Sequence, residues 1–452
     1  MNAKQIVALV DKQREKIFAA EEFLWSHPQT GYKEWEAHEY MKNIFLELGY
    51  EITEAGDIPG FIADIDTGRP GPKFCFMSEL DSLICMDHPE ARPGTGAVHA
   101  CGHCAQGAAM VGIAAALKEP GALDDMCGSI RLMVVPAEEL IETGYREGLR
   151  KQGIIKYMGG KVEFMHRGFF DGVDMAMLIH QGGGKGPKYG FGKGNNGCIV
   201  KNIDFLGKAS HAGGAPHLGI NALYASSTAM NVVNALRETF KDNDHISFHP
   251  IITDGGQAVN AIPSLIRMES YVRGASFEAI KDANLRINRA LAASAAAFGG
   301  NVHLSDLPGY APLINDLTMQ NASLEVAAEF MEEGEYGAND NWGTGCTDVG
   351  DVSAVMPAIQ PHIGGCVGIG HGNNYYVEDV ETACVLSAKV QVATVWKLLK
   401  DDAAIAKDVL AKAELRFPSI KEYLAYVDEL TLDKDAVIYN EDGSVKLDFT
   451  NN

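Results

Sequence analysis

A chain of 452 residues exceeds what one hydrophobic core usually serves, so two domains are expected, and 46% hydrophobic with 22% charged residues is a globular enzyme's composition. The net charge of -22, with no basic block against it, argues against nucleic acid or anionic lipid as partner. Nine cysteines without regular spacing, several inside apolar runs such as Phe74-Cys75-Phe76, are the usage of a reducing compartment. Met1 to Arg14 lacks the apolar core and cleavage site of a signal peptide. The longest apolar stretches, such as Ala108 to Leu117, are too short for a bilayer. A soluble cytoplasmic protein is the expectation.

Residues 4–26 and 33–48 read as amphipathic helices; in the second, Met41, Ile44, Phe45 and Leu48 recur at three- and four-residue steps. Lys73–Met77, Ile130–Val135 and Met175–Ile179 read as buried strands, alternating with helical patterns at Ala105–Leu117 and Gly144–Tyr157. That alternation predicts an α/β layer with a mixed, mostly parallel sheet. Near Gly197 the pattern changes to strand (Ile199–Leu206), helix (Asn221–Phe240), strand (His245–Thr253), strand (Leu265–Val272), helix (Phe277–Ala297) and strand (Val302–Leu307). This β-α-β-β-α-β order predicts a ferredoxin-like domain inserted in the first. The expected bounds are 1–196 and 310–400 for the outer domain, 197–309 for the insert, and 401–452 for a C-terminal extension with no chemistry assigned.

His99-Ala100-Cys101-Gly102-His103-Cys104 supports two chemistries. Cys101 and Cys104 form a C-x-x-C of the thiol–disulfide exchange type. Cys101 and His103, two apart on a loop before an Ala-rich helix, can instead turn a thiolate and an imidazole to one point, a donor pair that suits zinc. Val134-Val135-Pro136-Ala137-Glu138-Glu139 is more specific. Two adjacent carboxylates at the mouth of an apolar strand resist joint ionisation unless something neutralises them. A metal on one leaves the other to face water as a general base. His180 follows the strand Met175–Ile179 and precedes the glycines Gly182 to Gly184, while His371 sits in the glycine-flanked loop Gly370–Asn374. Each position alone has a structural alternative: a buried thiol, a solvated strand end, a turn histidine. Together they supply one thiolate, three imidazoles and a carboxylate, more than one tetrahedral ion takes, which predicts two ions. In the insert, His211 and His217 of Ser210–His217 are turn residues or a lid's contribution to polarising a carbonyl. Asn260, before Ala261-Ile262-Pro263, and Arg273 at a strand end are weaker candidates for binding substrate oxygens.

These motifs, with Ser78-Glu79-Leu80-Asp81-Ser82-Leu83 and Thr347-Asp348-Val349-Gly350-Asp351-Val352-Ser353, resemble the amidohydrolase branch of the aminoacylase and carboxypeptidase metallopeptidases. That branch includes hippurate, auxin-conjugate and aminobenzoyl-glutamate hydrolases and aminoacylase-like dipeptidases. The resemblance runs from about His27 to Asp379. It implies Cys101, His103, Glu139, His180 and His371 as ligands of two divalent ions, Glu138 as general base, and Asp81 behind the ligands; the thiolate favours zinc, and the carboxylate and imidazoles also admit manganese. It also implies metal-assisted amide hydrolysis of N-acyl amino acids, aminobenzoyl-glutamate-like conjugates or dipeptides. The insert becomes a lid and dimer contact, with His211 reaching the partner's site in a homodimer or higher homo-oligomer. The chain departs from the family at Cys104, where Asp or Asn is usual, and at Gln106, where many members have His. A disulfide oxidoreductase and a non-catalytic binding protein are the rivals; the first wants an aromatic before Cys101, where Ala100 stands, and the second a lost ligand or base.

Overall fold

The computed structural model describes residues 1–183 and 186–450, so Gly184 of the glycine run after His180 lies outside the described residues. The chain forms two compact units. One comprises Met1–Gly194, Leu313–Trp342 and Asp351–Ile420; the other comprises Asn195–Pro312, Gly343–Gly350 and the chain from Lys421 onward.

The first unit is built on a six-stranded sheet in the order Ile52–Glu54, Phe61–Asp66, Ser129–Val135, Lys73–Glu79, Met175–Met177, Ala358–Ile359. The last four strands run parallel, and the first two form an antiparallel edge. Ile130–Val135 and Phe74–Glu79 are buried without interruption, as strands covered on both faces must be. The helix His103–Leu117 is buried along its whole length. Its alanines and glycines let neighbouring helices press close: a Cβ at Gly112 would lie 2.5 Å from Ile17 Cδ1.

Three local expectations change. The 4–26 helix divides into Ala3–Asp11 and Arg14–Ser26. The strand expected over Met175–Ile179 stops at Met177, and His180–Gly183 joins a different sheet, parallel to His362–Val367. The helical segment Glu381–Lys412 is, by length and composition, apolar enough to cross a membrane, contrary to the reading that no stretch reaches that length. It is 83% buried over its apolar window, and Lys400–Ala403 break its helical geometry.

The second unit carries the β-α-β-β-α-β order as an antiparallel sheet. Gly197–Leu206 lies between Leu265–Gly274 and Asn301–Pro308, and the expected strand over His245–Thr253 is two short pieces, Ser247–Phe248 and Ile251–Asp254, both paired with Leu265–Gly274. Helices Ala222–Leu236 and Phe277–Ala297 contribute to its apolar core. A buried Lys201 ammonium bonds Asn284 Oδ1 (2.9 Å), Asn288 Oδ1 (2.5 Å) and Asp306. The stretch 401–452, expected as a separate extension, is shared instead. Its first part stays with the first unit, and Leu432–Asp435 adds an edge strand to Asn301–Pro308.

Candidate metal-dependent active site

Parallel sheets expose their functional ends where the strands leave the core. Glu79 and Asp81 stand at the end of Lys73–Glu79, Glu138 and Glu139 beyond Val135, and His180 beyond Met177. Cys101 and His103 flank Gly102, which takes φ +85°, and a Cβ there would lie 2.5 Å from the Tyr375 hydroxyl. Only glycine permits that turn, and the turn brings thiol and imidazole together. His371 sits in the loop after His362–Val367 at φ +64°, its N–H donating to Ala100 O at 2.8 Å.

The side chains converge as two triads that share one thiol. Cys101, His103 and His180 form one; Cys101, Glu139 and His371 form the other, with the donor atoms of each within 4.8 Å of one another. Cys101 Sγ is 3.4 Å from His180 Nε2, and Glu139 Oε1 is 3.3 Å from His371 Nε2. His103 Nδ1 lies 2.9 Å from Asp81 O and 3.1 Å from Asp81 Oδ1, which leaves Nε2 turned inward. Asp81 Oδ2 also accepts from Glu139 N at 2.7 Å, so one aspartate orients two of the converging groups. His180 Nδ1 faces Gln181 O at 2.8 Å, again turning Nε2 to the site.

The bend that delivers the two glutamates is held from behind. Ala137 takes φ +60°, its N–H donates to Glu34 Oε1 (2.8 Å), and buried Arg146 donates to Ala137 O (3.4 Å), Met158 O (2.7 Å) and Glu139 O.

Electrostatics separate the groups. Burial opposes ionisation of Glu139, but His371, His103 and Cys101 outweigh it and hold the carboxyl at about 2. Burial and the neighbouring His103 push His180 down to about 4, toward the neutral imidazole a metal needs. Burial opposes protonation of His103, yet Glu79, Cys101 and Asp81 raise it well above its ordinary value. His103 Nε2 and Glu139 Oε1 are buried and make no well-aligned hydrogen bond, their polar neighbours being Glu79 Oε2 at 3.1 Å and His371 Nε2 at 3.3 Å. Buried polar atoms are rarely left so, and a cation between them fits the thiolate, imidazole and carboxylate donors.

A third grouping, His38, Glu39 and Glu54, does not fit an ion. His38 Nδ1 accepts from Gly60 N at 2.9 Å, so a neutral ring keeps its proton on Nε2, facing Glu54 Oε2 at 3.2 Å. Lys42 already meets Glu39 and Glu54 at 3.0 and 3.2 Å.

The insert's candidates divide. His211 is exposed; its Nδ1 accepts from Gly213 and Gly214 N–H (3.1 and 2.9 Å), which leaves Nε2–H as a donor in the neutral ring. The Asn260 segment lies beside it, Ala212 N donating to Asn260 O at 2.9 Å. Arg273 pairs in register with Cys198 at the far end of the strand pair whose near end is Leu206 with Leu265. Eight residues of strand set the two ends roughly 26 Å apart.

The chain is similar to known peptidases and amidohydrolases. The peptidase dimerisation domain of the M20 family matches residues 193–298. The Xaa-Arg dipeptidase of Mus musculus is 27% identical, over 93% of this chain and 91% of its own length, and that of Homo sapiens is 29% identical over 90% and 88%. A Bacillus subtilis protein described as a dinuclear metal binding peptidase from the M20 family has a similar fold (TM-score 0.63, 21% identity, 87% of this chain and 99% of that one). The chain is thus similar to M20 peptidases and amidohydrolases over most of its length.

The two positions at which the sequence departs from the family it resembles have structural explanations. Cys104 is buried in the core, its thiol raised by burial and by Glu21, Cys384 and Cys366, and both it and Cys101 are free thiols with no disulfide between them. Gln106 bonds Glu79 twice: Nε2 to Oε2 at 2.8 Å, and Oε1 from Glu79 N at 3.1 Å. Glu79 itself is a site residue the motif reading passed over. Its Oε2 lies 3.1 Å from His103 Nε2, and Lys161 Nζ reaches Oε1 at 2.5 Å. Burial opposes its ionisation, but Lys161 and His103 hold the carboxyl at about 2. The rule that singled out Glu138 and Glu139, carboxylates at the mouth of an apolar strand, applies to Ser78-Glu79-Leu80-Asp81 as well. Lys161 carries no such signal.

Proposed function

We propose that the protein is a dinuclear metal-dependent hydrolase that cleaves the amide bond of dipeptides or N-acyl amino acids. The observation that carries this reading is the pair of triads sharing Cys101, with Glu138 beside them at 4.0 Å from His103 Nε2. In this reading Cys101, His103, Glu139, His180 and His371 hold two divalent ions, zinc or manganese by donor type. When bound, the ions supply Lewis acidity at the attacked carbonyl and favour ionisation of water.

Glu138 takes the proton of the attacking water and returns it to the leaving amine, as general base and then acid. Asp81 keeps His103 and Glu139 in register. His211 Nε2–H donates to the carbonyl oxygen as charge develops there, while Asn260 and Arg273 take substrate oxygens. Dipeptides come first among substrates, because relatives named dipeptidases align over nearly the whole chain, whereas one polypeptide of the Escherichia coli p-aminobenzoyl-glutamate hydrolase aligns over 71% of it.

A homodimer in a cytoplasmic setting completes the proposal. Tyr224 and Val232 on one helix, and Ile251 and Ile252 on an edge strand, are exposed apolar side chains of the insert, available for association. The Cys101/Cys104 redox reading is disfavoured by the burial of Cys104. The test is a hydrolysis screen of dipeptides, N-acyl amino acids and aminobenzoyl-glutamate with protein reconstituted in zinc, manganese or cobalt, reading released amine and metal content together. Cleavage accompanied by close to two ions per chain is the expected result. Metal content near zero with all three, and no released amine, sinks the reading.

A further inference from the structure

Two carboxylates face His103 Nε2: Glu79 Oε2 at 3.1 Å and Glu138 Oε2 at 4.0 Å. Glu79, His103 and Glu138 lie close enough to form a cation-binding group of their own. That group draws on the same nitrogen as the Cys101–His103–His180 triad, so the two arrangements compete for one imidazole. A carboxylate nearer to His103 than the proposed base could also enter a metal's shell and crowd out water.

Glu79 is anchored elsewhere. Lys161 Nζ meets Oε1 at 2.5 Å, Gln106 Nε2 meets Oε2 at 2.8 Å, and Glu79 N returns a bond to Gln106 Oε1 at 3.1 Å. The Lys161 and Glu79 side chains are both fully buried, so neither charge has solvent as an alternative partner. Removing one member of such a pair leaves the other charge uncompensated, whereas removing both is far better tolerated. Lys161 also offsets the negative charge that Glu79 adds to a pocket already holding Glu138, Glu139 and the Cys101 thiol.

We propose that Lys161, together with Gln106, is a positioning residue that withholds Glu79 from the metal centre, directing His103 to the ion shared with Cys101 and His180 and reserving the proton-carrying role for Glu138. This inference rests on the metal-hydrolase reading above. It accounts for a glutamine at position 106, whose amide can donate to a carboxylate and accept from its backbone at once. It also accounts for a lysine in the interior, 82 residues along the chain from its partner.

The test compares full-length parent, Lys161→Met and Lys161→Met/Glu79→Gln after cobalt substitution. The readouts are the visible absorption of the cobalt–thiolate centre, bound metal per chain by elemental mass spectrometry, and dipeptide hydrolysis. In Lys161→Met the released Glu79 enters the shell: the cobalt bands shift and weaken, and kcat falls about 10- to 100-fold, the range for disturbed outer-shell partners. In the double variant the spectrum returns to that of the parent, and most of the turnover with it. Should Lys161→Met not yield folded protein, Gln106→Met loosens the same carboxylate from its other side and is read the same way. A parent-like spectrum and turnover in Lys161→Met, or a double variant as impaired as the single one, overturns the proposal. A parent that binds none of zinc, manganese and cobalt refutes the metal reading itself, and this inference with it.

Discussion

Glu138 and Glu139 are neighbours in sequence with different surroundings. Glu139 is fixed by Asp81 at its backbone N–H and faces His371 with one carboxylate oxygen, while Glu138 faces His103 at 4.0 Å. Glu138→Gln keeps the side chain's shape but loses the base, so metal content should hold while turnover drops by roughly 10² to 10⁴, the usual worth of general base catalysis. Glu139→Ala removes a donor of the second triad and should lower bound metal directly, as elemental analysis would register. An exchange of those two phenotypes would exchange the roles. The cysteines divide in the same way. Cys101→Ser is expected to lose metal and activity together, because both triads use its sulfur, and Cys104→Ser to keep both and cost only stability. Equal loss of metal in the two variants would contradict the separation of Cys104 from the site.

At the scale of elements, positions are held by contacts between distant segments. Arg146 bonds three carbonyls around the bend at Ala137. Arg146→Met removes all three bonds, leaving Ala137 O and Glu139 O to Gly160 N and Ile141 N alone and Met158 O without its guanidinium partner. It should destabilise the protein by about 1 to 3 kcal/mol in denaturant titrations, with a loss of metal affinity. The edge strand Leu432–Asp435 depends on a titrating contact: His303 lies 2.8 Å from both Asp433 and Asp435. Burial works against protonation, but the two aspartates outweigh it and raise His303 above its ordinary value. A histidine whose folded pKa is raised stabilises fully below the unfolded value of about 6.5 and loses that contribution as pH rises through the folded one. Hydrogen-exchange protection of Leu432–Asp435, corrected for intrinsic rates, should therefore fall above about pH 6.5 in the parent. His303→Gln should abolish that dependence. Partial exposure limits the effect to a few tenths of a kcal/mol, and a pH profile shared by parent and variant would count against it.

At the scale of the whole molecule, the inserted unit places Asn260 beside His211 and sets Arg273 at the opposite end of a ten-residue strand pair. A substrate as small as a dipeptide cannot touch both ends of a span of roughly 26 Å. If all three serve one substrate, they come from two copies of the chain, as a two-fold dimer permits. Inactive His211→Ala mixed with inactive Glu138→Gln should then regain activity after protomer exchange, since half of the dimers at random would own one complete site, about a quarter of all sites. No recovery after verified exchange would confine His211 to its own chain, or remove it from the chemistry.

Sequence alone was enough for those features that depend on near neighbours. The parallel strands announce themselves as unbroken apolar runs, and Glu138, Glu139 and His180 as polar residues where such runs stop. The change of pattern near Gly197 marks the insert, and the motifs together point to two metal ions. Gly102 between Cys101 and His103 is a local cause with a local effect. Other features depend on which segments the fold brings together. Nothing near Lys161 in sequence says that its ammonium will meet Glu79, nor does the C-x-x-C spacing say that Cys104 faces the core. Leu432–Asp435 became a strand only because Asn301–Pro308 offered it an edge. Periodicity and strand ends follow from the chain's own geometry, so they are legible residue by residue. A buried charge, by contrast, is tolerated only beside its partner, and the partner is chosen by packing across the whole chain.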